Sequence, residues 1–288
     1  MYDVIIIGAG PAGMTSALYL LRANKKVLLL EEKVYGGQII NSNLVENYPG
    51  IPNISGFNFA TNLFNQIKEL GVDYKNEKVI KIEGTKVITS NNSYECKKII
   101  IATGVVNKKL GIEDEYIGKG VSYCATCDGN FYKNKIVAVI GGGNTALEDA
   151  LYLSNICERV YLIHRRDTFK GEIRYLDEIK NKSNIEIITN SNVIKLNGVD
   201  KLEGIELDTG KKIEIAGLFI AIGQVPNNDI FSNIIELEDG YIKSIDGVHT
   251  TNKDIYVAGD VRKKDLRQLT TAVSDGSIAA TICIKEMI

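Results

Sequence analysis

Two cysteines three positions apart, in the run Cys124-Ala-Thr-Cys127-Asp128-Gly129, are the residues of this chain best suited to chemistry. Thiols at that spacing can close and reopen a small disulfide ring, or supply half of a zinc site. Structural zinc takes four ligands, usually from a second close pair. Here Cys96, Cys157 and Cys283 stand singly, and the histidines are His164 and His249. No metal site is therefore expected, and a redox-active dithiol is the preferred reading. A purely structural disulfide does not suit a reducing cytoplasm, which one pair plus three single cysteines suggests. Asp128 could carry protons to or from a thiolate; the other reading makes it a turn former beside Gly129.

A second group of residues is built for phosphates. Gly8, Gly10 and Gly13 stand in G-x-G-x-x-G spacing after an apolar run at residues 4–7. Residues 14–23 read as a helix, residues 27–30 as another buried strand, and Glu31 ends that strand. This is a complete βαβ unit. The first glycine allows a tight turn, the second lets backbone approach a pyrophosphate, and the third lets helix and strand pack closely. The helix N-terminus offers free N–H groups to an anion, and Glu31 suits a ribose hydroxyl pair.

The pattern returns 133 residues later as Gly141, Gly143 and Ala146, between an apolar run at 136–140 and a helix at 145–154. Gly8 precedes Glu31 by 23 positions, and Gly141 precedes His164 by the same 23. Where the first copy has an acid, the second has His164-Arg165-Arg166. A carboxylate repels a ribose 2′-phosphate, whereas arginine grips one with a planar fork. The first copy thus fits FAD or NAD and the second NADPH. Two such sites in one chain suggest electron traffic between a nicotinamide and a flavin.

These groups need a scaffold. The chain has 288 residues, 44% hydrophobic and 24% charged, with a net charge of −2. Those values describe a globular protein and exclude disordered and fibrous classes. The charge balance argues against a nucleic-acid or membrane-surface binder. No apolar run approaches the ~18 residues of a membrane span, and no signal peptide is evident. Between the two units, residues 56–70 read as a helix, and 72–74, 78–82, 86–89 and 99–101 as strands. The last runs into Ala102-Thr103-Gly104, where backbone can approach a cofactor. After the second unit come a helix at 172–182, strands at 192–196, 201–208, 211–214 and 218–222, a strand at 255–258 ending in Gly259-Asp260, and a helix from Arg267 to about Glu286. The expected fold class is α/β with duplicated architecture, and crossings near 107–109 and 244–247. That makes residues 1–109 and 246–288 one discontinuous domain and 110–245 an inserted one.

Taken together, Gly8-Ala-Gly10-Pro11-Ala12-Gly13, Gly36-Gly37-Gln38, Glu46-Asn47-Tyr48-Pro49-Gly50, Ala102-Thr103-Gly104, the Cys124 to Gly129 run, Gly141-Gly-Gly143-Asn144-Thr145-Ala146, His164-Arg165-Arg166, Gly259-Asp260 and Arg267-Gln268 resemble the low-molecular-weight, bacterial-type thioredoxin reductases of the pyridine nucleotide-disulfide oxidoreductases, class II. The resemblance spans essentially the whole chain. It implies two Rossmann-like domains of the three-layer ββα type, the NADPH domain inserted into the FAD domain. It also implies a cytoplasmic homodimer that passes hydride from NADPH to FAD, then electrons to the Cys124–Cys127 disulfide, then on to oxidised thioredoxin. In that scheme Cys127 lies nearer the flavin, Cys124 attacks the partner disulfide and Asp128 is the acid/base. FAD falls to Gly8, Gly10, Pro11, Ala12, Gly13, Glu31, Gly37, Gln38, Asn47, Val79, Ala102, Thr103, Gly104, Gly259, Asp260, Arg267 and Gln268. NADPH falls to Gly141, Gly143, Asn144, Thr145, His164, Arg165, Arg166 and Lys170. Lys170 departs from the family's usual arginine; it keeps the charge and loses the fork, and Arg174 on the following helix could assist. The alternatives are a ferredoxin- or flavodoxin-fed reductase, and a flavin-dependent dithiol oxidase or redox sensor.

Overall fold

The opening run Tyr-Asp-Val-Ile-Ile-Ile forms β1, Tyr2–Ile7, in the computed structural model, which describes residues 1–42 and 44–287. Both faces of this strand are buried: Val4 and Ile6 enter one hydrophobic cluster, Ile5 and Ile7 another. A strand covered on both sides has no position for a polar side chain, which is why the run is apolar throughout. α1, Pro11–Arg22, follows, with Pro11 in the first turn, where its missing N–H leaves no bond unmade. β2 (Val27–Glu31) pairs with β1, α2 (Gly56–Glu69) starts from a Ser55 side-chain cap, and β3 (Asp73–Asn76) pairs with β2, both pairings parallel. β4 (Val79–Glu83), β5 (Lys86–Thr89) and β6 (Ser93–Ile101) form an antiparallel meander. β6 belongs to both layers: its first residues pair with β5, and from Cys96 onward it pairs parallel with β1.

The chain divides into two compact units, one made of Met1–Val106 with Val225–Ile288 and the other of Asn107–Gln224. After β7 (Val106–Asn107), the second unit holds β8 (Val121–Ser122), α3 (Ala125–Asp128), β9 (Ile136–Ile140), α4 (Asn144–Ser154), β10 (Arg159–Ile163), α5 (Ile173–Lys180) and β11 (Ile185–Ile188). It continues with β12 (Val193–Asn197), β13 (Gly204–Leu207), β14 (Lys212–Glu214) and β15 (Gly217–Ile220). Its parallel sheet runs β11-β10-β9-β15-β8, and β12-β13-β14 is again an antiparallel meander. Alternation repeats the plan of the first unit. Val137, Val139, Val160 and Leu162 face the helices, while Ala138, Ile140 and Ile163 face the meander. The ends of this unit lie side by side: Lys108 N–H donates to the Gly223 carbonyl at 3.0 Å, and Gln224 Nε2 donates to Asn107 Oδ1 at 2.9 Å.

The chain re-enters the first unit through β16 (Gln224–Val225), β17 (Leu237–Glu238), β18 (Tyr241–Ile242), β19 (Ile255–Val257) and α6 (Leu269–Lys285). β19 pairs parallel with β6, and α6 lies against α1, where Ser16 Oγ donates to the Gly276 carbonyl at 3.0 Å. The return therefore falls at Gln224–Val225, about twenty residues before the expected 244–247. The cause is packing: Phe231, Ile235 and Ile242 are buried in the same cluster as Ile5, Val79 and Val87. The first crossing falls at Val106–Asn107, at the edge of the expected 107–109.

Candidate active site

Cys124 and Cys127 are joined in a disulfide, with their Cα atoms 5.3 Å apart. Cys124 occupies the extended position just before α3, and the helical turn that follows carries Cys127 back toward it. Asp128 closes that turn, its N–H donating to the Cys124 carbonyl at 3.1 Å. The approach to Cys124 is anchored twice. Ser122 Oγ accepts from Cys124 N–H at 3.0 Å and donates to Asp128 Oδ2 at 2.6 Å. The Tyr123 hydroxyl donates to the buried Glu113 carboxylate at 2.7 Å, which also accepts from the N–H groups of Leu110, Gly111 and Ile112. Burial alone would push the Glu113 carboxyl up, but these donors outweigh it and hold it below the usual range.

Burial pushes the Asp128 carboxyl above its ordinary value, against the opposing hydrogen bond from Ser122. The neighbouring Tyr132 is pushed up to about 12, by burial first and by the Asp128 charge second. Burial likewise pushes the Cys96, Cys157 and Cys283 thiols up to about 12, 11 and 12. Buried thiols so far from ionising are poor nucleophiles. The chemistry of sulfur in this chain belongs to Cys124 and Cys127.

In the first unit, Gly8, Gly10, Glu31, Gly37, Ala102 and Gly259 meet around the start of α1. A Cβ on Gly8 would fall 2.4 Å from the Ala102 carbonyl oxygen, and φ at Gly8 is +104°, so only glycine lets β1 turn there. Glu31 Oε2 accepts from Ala9 N–H at 2.8 Å. Gly37 comes up against Gly10, and Gly259 against Ala12. Gln38 donates to the Val105 carbonyl, next to Gly104. Asn47 Nδ2 donates to Gln268 Oε1 at 3.1 Å, and Gln268 caps α6. Arg267 Nε donates to the Asp260 carbonyl at 3.4 Å, and its guanidinium lies 4.2 Å over the Tyr241 ring. Thr103 is exposed beside this group. Val79 sits apart, buried at the head of β4 under the meander. The direction a Gly10 Cβ would take is open, α1 has no acid in its first turn, and Gly10 offers no side-chain cap. Asp260 Oδ1 is buried 3.0 Å from the Lys264 ammonium, outside hydrogen-bond geometry.

The second unit repeats this geometry. A Cβ on Gly141 would fall 2.4 Å from the Ala221 carbonyl oxygen, the counterpart of Ala102, and 2.6 Å from the Ala146 methyl. Gly143 precedes α4 with open space around it and no acid in the first turn. Asn144 Oδ1 accepts from Glu172 N–H at 2.8 Å, and Thr145 is exposed. The His164 ring stacks on Phe169 at 4.9 Å and reaches the Thr168 carbonyl at 3.1 Å. Burial, reinforced by the Arg166 and Arg165 charges, keeps that ring below its ordinary value against the opposing hydrogen bond to Thr168. Arg165, Arg166 and Lys170 are exposed, and among the described residues none has a carboxylate partner. Arg174 differs: Glu172 holds its guanidinium at 2.8 Å, so it is not spare for a phosphate.

Sequence reasoning missed Ser122, Glu113 and the buried cation Lys264, which lies between Asp260 and Asp275. A buried lysine is invisible in a charge count. The one signal for Ser122 was a polar residue two positions before a cysteine, which is too common to use.

Two glycine-turn units in series with a reactive sulfur pair define an oxidoreductase that works on disulfides through nucleotide cofactors. The chain belongs to the pyridine nucleotide-disulphide oxidoreductase family, whose sequence pattern matches residues 2–276. Within it stand the thioredoxin reductases. That of Bacillus subtilis (strain 168) is 40% identical over 298 residues, spanning 97% of this chain and 93% of its own. That of Treponema pallidum (strain Nichols) is 39% identical over 291, spanning 97% and 95%. The crystal structure of thioredoxin reductase from Streptococcus pyogenes MGAS5005 superposes with a TM-score of 0.95 at 38% identity, covering 100% of this chain and 98% of that one. Family, fold and activity class agree: this is a disulfide oxidoreductase of the thioredoxin reductase type.

Proposed function

We propose that this chain reduces the disulfide of a thioredoxin with electrons from NADPH, through bound FAD and its own Cys124–Cys127 pair. The observation that carries the reading is that pair, closed as a disulfide in a chain with two dinucleotide-type turns. The residues present suit the cofactors. The start of α1, with Glu31 at the glycine loop and the buried Asp260 oxygen, suits FAD. The start of α4, with unpaired Arg165 and Arg166 nearby, suits NADPH. The chemistry such groups supply when bound is two-electron transfer, from reduced nicotinamide through flavin to the Cys124–Cys127 bond.

The chain's residues do the rest. Two electrons break the Cys124–Cys127 bond and leave two sulfurs, with Asp128 exchanging a proton with them. The Cys124 thiolate attacks one sulfur of the partner disulfide, whose S–S bond breaks as the mixed disulfide forms. The Cys127 thiolate then attacks Cys124 Sγ, releasing the partner as a dithiol and restoring the ring. The family resemblance supports a cytoplasmic homodimer. No helix among the described residues is long and apolar enough to cross a membrane.

The test is spectroscopic. Purified protein should be yellow and should bleach anaerobically with NADPH much faster than with NADH. Cys127→Ser should still bleach but lose turnover of oxidised thioredoxin to background. Retained turnover in that variant would remove the pair from the mechanism. Bleaching by reduced ferredoxin and not by NADPH would replace the proposed donor.

A further inference from the structure

The dithiol loop is anchored by a serine that also touches the neighbouring acid. We propose that Ser122 is a positioning residue for this site: in either protonation state of Asp128, its hydroxyl ties that carboxyl to the backbone of Cys124. The inference rests on the reading of Asp128 as the acid/base of the pair.

Ser122 is 5% exposed and is held by the sheet itself, since it ends β8 and pairs with Phe219 of β15. Its oxygen has three neighbours: Asp128 Oδ2 at 2.6 Å, Cys124 N–H at 3.0 Å and the Cys124 carbonyl at 3.3 Å. A hydroxyl has one hydrogen to give and two lone pairs to receive. With Asp128 ionised, the hydrogen goes to Oδ2, at the short distance of a charge-assisted bond. With Asp128 protonated, the acid donates to the serine oxygen, and the serine hydrogen turns to the Cys124 carbonyl. In both states Cys124 N–H keeps its acceptor. The loop that carries the sulfur therefore stays fixed while the proton comes and goes. An apolar residue at this position would strand Cys124 N–H and leave a half-buried carboxylate without its donor.

Other titratable groups lie on the elements packed around Asp128, and of these Tyr132 feels its charge. Tyr132 and Lys135 follow α3, Glu148, Asp149 and Tyr152 lie on α4, and Glu113 stands behind Tyr123. Asp149 is itself pushed up to about 7, by burial and then by Glu148, so a pH profile alone does not assign a limb to Asp128. The assignment comes from Asp128→Asn.

The experiment uses full-length, flavin-loaded protein. The Asp128 carboxyl is titrated by carbon NMR, its signal identified by its absence in Asp128→Asn, and turnover is measured across the same pH range. Ser122→Ala should raise the Asp128 midpoint by up to about one pH unit, because the charge-assisted bond lost from the ionised form is stronger than the neutral bond lost from the acid. The limb of turnover that Asp128→Asn abolishes should move with it. Ser122→Thr keeps the hydroxyl and should titrate like wild type. Ser122→Val has the shape of threonine without the oxygen and should titrate like alanine; this pair decides the matter if Ser122→Ala does not fold. Ala and Val midpoints equal to wild type, or a Thr midpoint shifted as far as Val, overturn the proposal. Unchanged turnover in Asp128→Asn overturns the acid/base reading instead, and leaves the Ser122 result to be judged on the titration.

Discussion

On the proposed reading, nucleotide choice in the second unit turns on which arginines, among the described residues, have no carboxylate partner. Arg165 and Arg166 are exposed without a carboxylate, whereas Arg174 is held by Glu172. Replacing Arg165 or Arg166 with alanine should cut the preference for NADPH over NADH by roughly 10–100-fold, the worth of one charge-assisted contact. Arg174→Ala should leave it within about 3-fold, the worth of a surface pair. Ratios of kcat/KM for the two donors check both. A second residue-scale device lies in the first unit. His249 has a carboxylate at each ring nitrogen, Asp246 at 2.6 Å and Glu286 at 2.8 Å, and both raise its proton affinity, Asp246 first. The protonated ring therefore contributes stability that is complete below 6.5, its ordinary value, and is lost as pH rises through the raised folded value. Asp246 works in the opposite sense: hydrogen bonds from His249 pull it to about 2, so its contribution is present above 3.8 and lost as pH falls toward 2. The urea midpoint should fall as pH rises above 6.5, and His249→Gln should flatten that limb. A limb unchanged by the substitution contradicts the assignment. The dithiol pair and the two glycine turns were legible in the sequence because their types are diagnostic at their spacing. Ser122 and Glu113 were not, because each acts through a partner that only folding supplies.

At the scale of elements, the two turns that open α1 and α4 separate space reserved for the fold from space reserved for a ligand. Gly8→Ala would drive a methyl into the Ala102 carbonyl from a left-handed backbone, and should cost about 2 kcal/mol or more in chemical denaturation. A methyl on Gly10 meets no protein atom. Gly10→Ala should stay within about 1 kcal/mol of wild type yet retain less flavin on purification. Equal flavin content in the two proteins would contradict FAD binding at this turn. Long apolar runs announced β1, β2, β9 and β10, because strands covered on both faces are uniformly apolar. β8 is only two residues long, and β11 carries Glu186 in a four-residue run, so neither stood out. Residues 225–245 looked like part of the insertion because their apolar side chains carry no address; burial with Ile5 and Val87 assigns them to the first unit.

The described residues form four clusters, two in each unit, one on each face of each parallel sheet. Among the described residues, each cluster draws on one unit alone. The segment 107–224 should therefore fold by itself, with a cooperative thermal transition followed by circular dichroism; a broad, non-cooperative melt would contradict this. The first unit requires its two stretches of chain to be rejoined. The hydrogen bonds from Lys108 to Gly223 and from Gln224 to Asn107 show how short that splice can be. An insertion whose entry and exit touch is a cassette. It can be gained, lost or exchanged in a single recombination event without rerouting a strand of its host, so the nucleotide preference of the guest and the lineage of the host are free to have separate histories.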